Sequence, residues 1–315
     1  MSLAITLVLL ARLLGPAVYG AYAALAAVAL LIGALAPFGT HLTLMRDLAR
    51  GGAVSEHLPV AVGTTFVVGS ITTILFTLAA DLASTVSVLV VLCIAVSEAL
   101  LQPLLQVYSA TWSARERVGA AQMYITLPLV LRAVWVILLT VHPPADVLEW
   151  YVLGHVGAVA IALALICMRA GGVLDTIANV RLLPKLQWRS NAGFAVLALT
   201  AAGPSEVDKA IAPRVMALAE AGGYSAASRV SAAMVLPVVA LLMSLLPGMF
   251  RQSANLMARG FRWKLFALTG GYGILAGGAV HLVAPWLALA FGPAYAGIDL
   301  YLHGFAFIVP AMCLR

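Results

Sequence analysis

Charged side chains inside apolar runs are the residues of this chain whose types and positions could do chemistry. Arg132 and Arg229 each lie well inside such a run, and Glu98 lies near the middle of another. An arginine at the centre of a bilayer costs about 2.5–3.5 kcal/mol on insertion scales, so it needs a partner or a water-filled cavity. A guanidinium group binds two phosphate oxygens at once, and these arginines therefore predict a cation-lined chamber for an anionic substrate.

The buried charges also allow a purely structural interpretation. Glu98 could form an internal ion pair with one of the arginines, and the charges would then serve the fold. Alternatively, Glu98 and Asp208 are candidates for binding a coupling proton or cation. The sequence leaves these interpretations open.

A further set of charges lies toward the outer ends of two apolar runs, at Arg12, Asp208, Lys209 and Arg214. Snorkelling of a long side chain to the membrane interface explains Arg12 and Arg214. It explains Arg132, Glu98 and Arg229 poorly, because they lie deeper in their runs.

The composition predicts an all-α, polytopic membrane protein. Hydrophobic residues make up 63% of the 315 residues and charged residues 10%, whereas a soluble domain carries about 25% charged residues. Runs of roughly 20 apolar residues match the length of a transmembrane helix, and they lack the alternation of a membrane barrel. Ten spans are predicted, at 2–14, 18–39, 58–80, 85–107, 119–141, 150–168, 191–211, 222–246, 265–285 and 298–314.

A motif near the N-terminus recurs 202 residues later. Segments 12–24 and 214–226 share Arg, Ala, Gly, Tyr and Ala at the equivalent pairs 12/214, 17/219, 20/222, 22/224 and 24/226. Such a repeat indicates two helical bundles fused head to tail around a central cavity, an organisation typical of transporters. The alternative is coincidence in a chain rich in Ala and Gly.

The basic residues predict the orientation of the bundle. With a cytoplasmic N-terminus, thirteen of the eighteen Lys and Arg residues fall on the inner side, which is the positive-inside pattern. The net charge of +6 is then a signal of topology and gives no indication of nucleic-acid binding. Six predicted spans separate the two copies of the motif, so the halves are predicted to be parallel repeats.

Several chemistries find no support in the sequence. Cys93, Cys167 and Cys313 lie singly inside spans, so no metal or redox site is predicted. The chain has no phosphate-binding P-loop motif for ATP hydrolysis. Gly273 and Gly277 form a G-x-x-x-G pattern that predicts close helix contact within the ninth span. We therefore predict no cofactor and no catalytic residue.

The predicted lobes are unequal. Residues 1–169 form an N-terminal six-helix lobe, 170–190 a basic cytoplasmic linker, and 191–315 an incomplete C-terminal lobe of four helices. The first span is short and the second lobe has two helices fewer than the first. We therefore expect this chain to be truncated, with at least two further helices downstream.

Four segments resemble one family of membrane proteins. Residues 11–22 read A-R-L-L-G-P-x-x-Y-G-x-Y, and they are followed by M-R-D-L-A-R at 45–50. The second half opens with V-D-K at 207–209 and A-G-G-Y-S-A-A-S-R at 221–229. These segments are similar to those of oligosaccharide flippases, the polysaccharide-biosynthesis branch of the multidrug/oligosaccharidyl-lipid/polysaccharide exporter superfamily.

The resemblance implies twelve to fourteen helices in two lobes around a cationic cavity, of which about ten are present. It implies transport of undecaprenyl-diphosphate-linked repeat units of O-antigen, capsule or exopolysaccharide, by alternating access, across the bacterial inner membrane. Arg12, Lys209 and Arg229 match the family's basic positions and Asp208 its acidic one, whereas Arg132 and Glu98 come from the depth argument alone. The expected partners are the lipid-linked oligosaccharide diphosphate, membrane lipids, a polysaccharide polymerase and a chain-length regulator, with no nucleic acid.

Two other functional classes are considered. A drug/cation antiporter of the same superfamily would favour acidic cavity residues, and the excess of arginine argues against it. A membrane glycosyltransferase or polysaccharide polymerase would need catalytic acids on the outer side, where Glu206 and Asp208 form the one acidic pair of that kind. The short outer connections favour a transporter that is not an enzyme.

Overall fold

The computed structural model describes residues 2–83, 86–170, 188–251 and 259–314, and every regular element in these ranges is a helix. The elements in chain order are α1 (Ser2–Leu35), α2 (Thr40–Ala49), α3 (Val54–Ala83), α4 (Val88–Ala95), a π-helical turn (Val96–Leu101), α5 (Gln102–Ala114), α6 (Val118–Val141), α7 (Val147–Ala170), α8 (Trp188–Val215), α9 (Leu218–Arg251), α10 (Arg259–Phe291), a 3₁₀ turn (Pro293–Tyr295) and α11 (Ile298–Leu314). The all-α prediction is confirmed. The predicted linker at 170–190 lies largely outside the described residues.

Seven helices in the described ranges are long and apolar enough to cross a membrane, and α11 is a shorter apolar helix. α8 is also long, but Glu206, Asp208, Lys209 and Arg214 make it more polar than the others. The chain is therefore a multi-pass membrane protein.

The break between the first two predicted spans lies at Gly15. Its φ of 71° and ψ of 163° interrupt the helical conformation inside α1, and Pro16 follows at once. Glycine accepts this conformation without the steric cost of a Cβ atom, and proline is well suited to the first position of the next helical arm. A single residue thus replaces the connection predicted at 15–17.

The described residues form two compact units. The central unit comprises residues 25–207 and the terminal unit comprises residues 1–24 with 208–315. These units are defined by packing, whereas the six-plus-four lobes were inferred from the repeat and stay a prediction.

In the central unit, the kinked span made by α4, the π turn and α5 is surrounded by other helices. α2 packs against α3 and α5, and α7 packs against α4, α5 and α6. The middle of this span is almost completely buried, with Val91, Ala95, Ala99 and Leu105 at 0% exposure. The π turn therefore lies in the core of the unit.

In the terminal unit, α10 and α11 form a tightly packed antiparallel pair, and α9 packs against α11. A Cβ atom at Gly277 would contact the carbonyl oxygen of Ala306, and one at Gly273 would contact Pro310. The close helix contact predicted from the G-x-x-x-G pattern is confirmed.

Both copies of the repeated motif lie in the terminal unit and contact each other there. A Cβ atom at Gly20 would overlap the backbone of Leu218, and one at Gly222 would overlap the backbone of Pro16. Pro16 and Leu218 are themselves equivalent under the 202-residue offset. Each glycine therefore contacts the equivalent of the residue that its counterpart contacts, as at a two-fold interface. Gly20 and Gly222 are small enough to permit this close crossing of the two motifs.

Candidate functional site

Glu98 lies at the point where the third long apolar span departs from regular α-helix. It is part of the π turn Val96–Leu101, and its side chain is 8% exposed. Single π turns within α-helices are frequent at functional sites. Two glycines, Gly33 and Gly69, allow their helices to approach this turn closely. A Cβ atom at either position would overlap a carbonyl oxygen of the turn, that of Glu98 or that of Ala99.

The carboxylate of Glu98 faces the imidazole of His155 on α7. Glu98 Oε1 and His155 Nε2 are 3.4 Å apart, and His155 is 2% exposed. The two groups form an ion pair when the imidazole is protonated. A buried carboxylate is stabilised by such a partner, and the structure thus gives Glu98 a neighbour that the sequence analysis did not assign.

Arg132 on α6 is connected to the same helix. Its Nη2 donates a hydrogen bond of 2.6 Å to the hydroxyl of Tyr151, and its guanidinium lies 5.8 Å from the centre of that ring. The Tyr151 and His155 rings are in turn 6.3 Å apart. Arg132, Tyr151, His155 and Glu98 therefore lie next to one another across α6, α7 and the π turn, joined by one hydrogen bond, one ring contact and one acid–imidazole contact. We call these four residues the intramembrane network.

The predicted acidic and basic pair on α8 has a different environment. Asp208 is half-buried and accepts hydrogen bonds from the Tyr224 hydroxyl at 2.7 Å and from the backbone N–H of Lys209 at 2.8 Å. Lys209 is 1% exposed, although the sequence placed it near the outer end of its span. Tyr224 belongs to the second copy of the repeated motif, so the motif holds the carboxylate in place.

Arg12 and Arg229 also belong to the terminal unit. Arg12 is exposed. It lies beside Gly292 in the turn after α10, where a Cβ atom on the glycine would be 3.6 Å from Arg12 Nε. Arg229 on α9 is half-buried, and two of its guanidinium nitrogens are enclosed by protein atoms. The exposure of Arg12 fits snorkelling, and the enclosure of Arg229 fits its predicted depth.

The structure thus divides the candidate residues between the two units. Asp208 and Lys209 adjoin each other in the terminal unit, which also holds Arg12 and Arg229, whereas Glu98 and Arg132 belong to the network of the central unit. The sequence analysis missed Tyr151, His155 and Tyr224. The spacing of Tyr151 and His155 was a usable signal, because residues four apart lie on the same face of a helix.

The chemistry available to these groups is electrostatic. Guanidinium and ammonium groups held inside apolar helices attract anions strongly, because the low dielectric of the surroundings weakens the screening of charge. The Glu98–His155 pair adds a buried acid and a buried imidazole to the interior of the central unit. The arrangement therefore combines cationic groups that suit an anion with an enclosed acid–base pair.

Comparison with known proteins places the chain in a family. Residues 3–253 match the model of the polysaccharide biosynthesis protein family. No curated protein and no solved structure matches the chain. Because the match covers most of the sequence, the chain belongs to this family of polysaccharide flippases and exporters, and its role is that of a polysaccharide-related transporter.

Proposed function

We propose that this protein is a flippase for undecaprenyl-diphosphate-linked oligosaccharide repeat units. It moves them from the inner to the outer leaflet of a bacterial inner membrane by alternating access. The observation that carries the proposal is the presence of cationic side chains inside the helices of a chain that belongs to the polysaccharide biosynthesis family. Lys209 on α8 is 1% exposed, and Arg132 on α6 and Arg229 on α9 are half-buried.

The diphosphate is the part of this substrate that cannot cross hydrocarbon unaided. Its charges would lose their hydration there, at a cost of several kcal/mol or more. Arginine and lysine side chains in a wet cavity replace part of that hydration with charge-assisted hydrogen bonds. The polyprenyl tail stays in the lipid throughout, so no covalent chemistry is needed.

The roles of the candidate residues follow from their chemistry. Arg12, Lys209 and Arg229 of the terminal unit contact the diphosphate during its transfer, and so, separately, does Arg132 of the central unit. The hydrogen bond from Arg132 to Tyr151 fixes the orientation of the guanidinium group and favours a bidentate contact. Glu98 and Asp208 bind a coupling ion. The positive-inside pattern orients the N-terminus toward the cytoplasm, and a polysaccharide polymerase and a chain-length regulator act on the outward-facing product.

Replacement of the arginines tests the proposal in cells that depend on this protein for glycan export. Arg132→Ala and Arg229→Ala should each reduce exported glycan at least tenfold, because each removes a charge-assisted contact. The lysine variants should retain part of the export, since a point charge still attracts the diphosphate but lacks the bidentate geometry.

Arg115→Ala is the matched control, because Arg115 is an exposed arginine between α5 and α6. Surface labelling of the glycan, combined with an immunoblot of the membrane fraction, separates loss of transport from loss of the protein. Normal export by both alanine variants would refute the diphosphate-binding role.

A further inference from the structure

The central unit contains a small cavity whose lining residues do not belong to the intramembrane network. It has a volume of about 210 Å³ and lies between α2, the first turns of α3 and the first turn of α8. Its lining residues are Thr40, Thr43, Leu44, Asp47, Glu56, His57, Val60, Ala61 and Asn191. One part of the wall is thus polar and the other is aliphatic.

Asn191 is a buried polar side chain in this wall. It is 2% exposed, and its Oδ1 accepts a hydrogen bond of 2.5 Å from Thr43 Oγ1. Its amide group therefore brings a hydrogen-bond donor as well as an acceptor to the wall of the cavity.

Asp47 provides the complementary group. Its Oδ1 accepts a hydrogen bond of 2.7 Å from Arg46 Nε, whereas its enclosed Oδ2 has no hydrogen-bond partner among the described residues. His57 Nδ1 lies 3.7 Å from Oδ2. The cavity wall therefore contains an unused acceptor, Asp47 Oδ2, together with the amide of Asn191, and a hydroxyl group is able to bind to both.

The charges argue against an anionic ligand. Arg46 offsets the charge of Asp47, and Arg46 is itself held 5.9 Å from the Phe194 ring. Glu56 adds a further negative charge to the cavity wall. A divalent cation requires about six or more oxygen ligands, and the described residues contain no cluster of three acidic, histidine or cysteine side chains able to hold a metal ion. A polyol fits this wall better than a cation does.

The size of the cavity limits the ligand further. Pockets for drug-sized molecules occupy about 300–1,000 Å³, so about 210 Å³ accommodates a single sugar ring and excludes an oligosaccharide. The aliphatic side formed by Leu44, Val60 and Ala61 suits the C–H face of such a ring. The polar side suits its hydroxyl groups.

We infer that this cavity binds one neutral sugar residue of the transported glycan. The inference rests on the proposed function, which brings the glycan to the inner face where Arg46 and Arg50 are predicted to lie. It assigns the recognition of the sugar to α2, α3 and α8, separately from the binding of the diphosphate.

Saturation-transfer NMR on the purified chain in nanodiscs tests the inference. The probes are free glucose, galactose, mannose and N-acetylglucosamine, with glucuronic acid as the charged comparison. At least one neutral sugar should bind, and glucuronic acid should bind more weakly because Glu56 repels its carboxylate. Asn191→Ala and Glu56→Gln should each weaken binding about tenfold, through loss of one or two hydrogen bonds.

Gln122→Ala and Glu149→Gln are the matched controls, because both residues lie outside the cavity, on α6 and α7. Glu56 is exposed, so the Glu56→Gln variant should fold. It therefore still tests the cavity if Asn191→Ala does not fold. Absence of binding by every neutral sugar, or binding that survives both cavity substitutions, would overturn the inference. Sugar binding that persists while translocation of the lipid-linked substrate fails would refute the proposed function and would leave the cavity as a sugar-binding site of this chain.

Discussion

The Glu98–His155 pair gives the clearest prediction at the scale of single residues. Glu98→Gln keeps the size of the side chain and its ability to hydrogen-bond, but it removes the carboxylate that faces His155. If Glu98 binds the coupling ion, the variant should fold with a free energy of unfolding within about 1 kcal/mol of the parent and should lose transport. Thermal unfolding in detergent and glycan export measure the two effects separately.

A structural role for Glu98 predicts a different result. Removal of one partner from a buried ion pair costs about 3–5 kcal/mol. If the carboxylate of Glu98 is purely structural, the Glu98→Gln variant should therefore lose that much free energy of unfolding. Glu149→Gln is the matched control, because Glu149 lies in the first turn of α7 outside the network. A destabilised Glu98→Gln variant whose remaining folded fraction transports normally would contradict the coupling role.

His41 predicts how stability depends on pH. Burial lowers the pKa of this histidine on α2 from 6.5 to about 4, and its Nδ1 has no hydrogen-bond partner among the described residues. The unfolded chain therefore takes up a proton below pH 6.5, whereas the folded chain does so only near pH 4. Stability is complete above pH 6.5 and falls by at most about 3 kcal/mol as the pH drops to 4.

Unfolding curves recorded between pH 4 and pH 7.5 check this assignment. His41→Gln should remove most of the pH dependence, and the exposed His142→Gln should leave it unchanged. An unaltered slope in the His41 variant would show that another group titrates.

The candidate residues show which parts of a site the sequence could reveal. Charges inside apolar runs stood out because each is costly. Glu98 is buried and Arg132 is half-buried in the structure, and their depth in the membrane stays a prediction. Their partners did not stand out. His155 carries no obligatory charge, and its contact with Glu98 depends on the packing of α7 against the π turn, which no local pattern of residues determines.

At the scale of helices, the crossing of the two repeated motifs provides a test. Gly222→Ala should weaken the contact between α1 and α9, because the new methyl group would overlap the backbone of Pro16. Overpacking of this kind typically costs about 1–3 kcal/mol. Gly20→Ala should have a similar effect, since the contacts are reciprocal, and the midpoint of thermal unfolding measures both.

Gly157→Ala is the control for helix propensity. Gly157 lies inside α7 with open space around its Cα, so alanine there should be neutral or should stabilise by up to about 1 kcal/mol. Equal effects of all three substitutions would show that the crossing contributes nothing specific.

The helices were predicted more completely than their irregularities. Apolar run length located the long spans, and Gly15–Pro16 marked the break inside α1, because glycine and proline determine backbone conformation locally. The G-x-x-x-G pattern correctly indicated the contact between α10 and α11. The π turn at Val96–Leu101 was not predicted, since no glycine or proline within it marks an irregularity, and the structure places it among packed helices.

At the scale of the whole molecule, the distribution of basic residues predicts topology. In a variant without Cys93, Cys167 and Cys313, a single cysteine in place of Arg50 should be shielded from impermeant thiol reagents in intact cells. One in place of Asp146 should be labelled. Labelling after permeabilisation confirms that both sites are reactive, and labelling of position 50 from outside would reverse the orientation.

Translocation in a reconstituted system tests the central claim most directly. The chain is placed in proteoliposomes that carry a lipid-diphosphate-linked oligosaccharide, and the glycan reaching the opposite leaflet is followed through its accessibility to a membrane-impermeant glycosidase. We predict that the parent chain accelerates this transfer well beyond protein-free vesicles. Vesicles with the Arg132→Ala/Arg229→Ala chain should behave like protein-free vesicles. Equal rates for parent and protein-free vesicles, or equal rates for parent and double variant, would contradict the account.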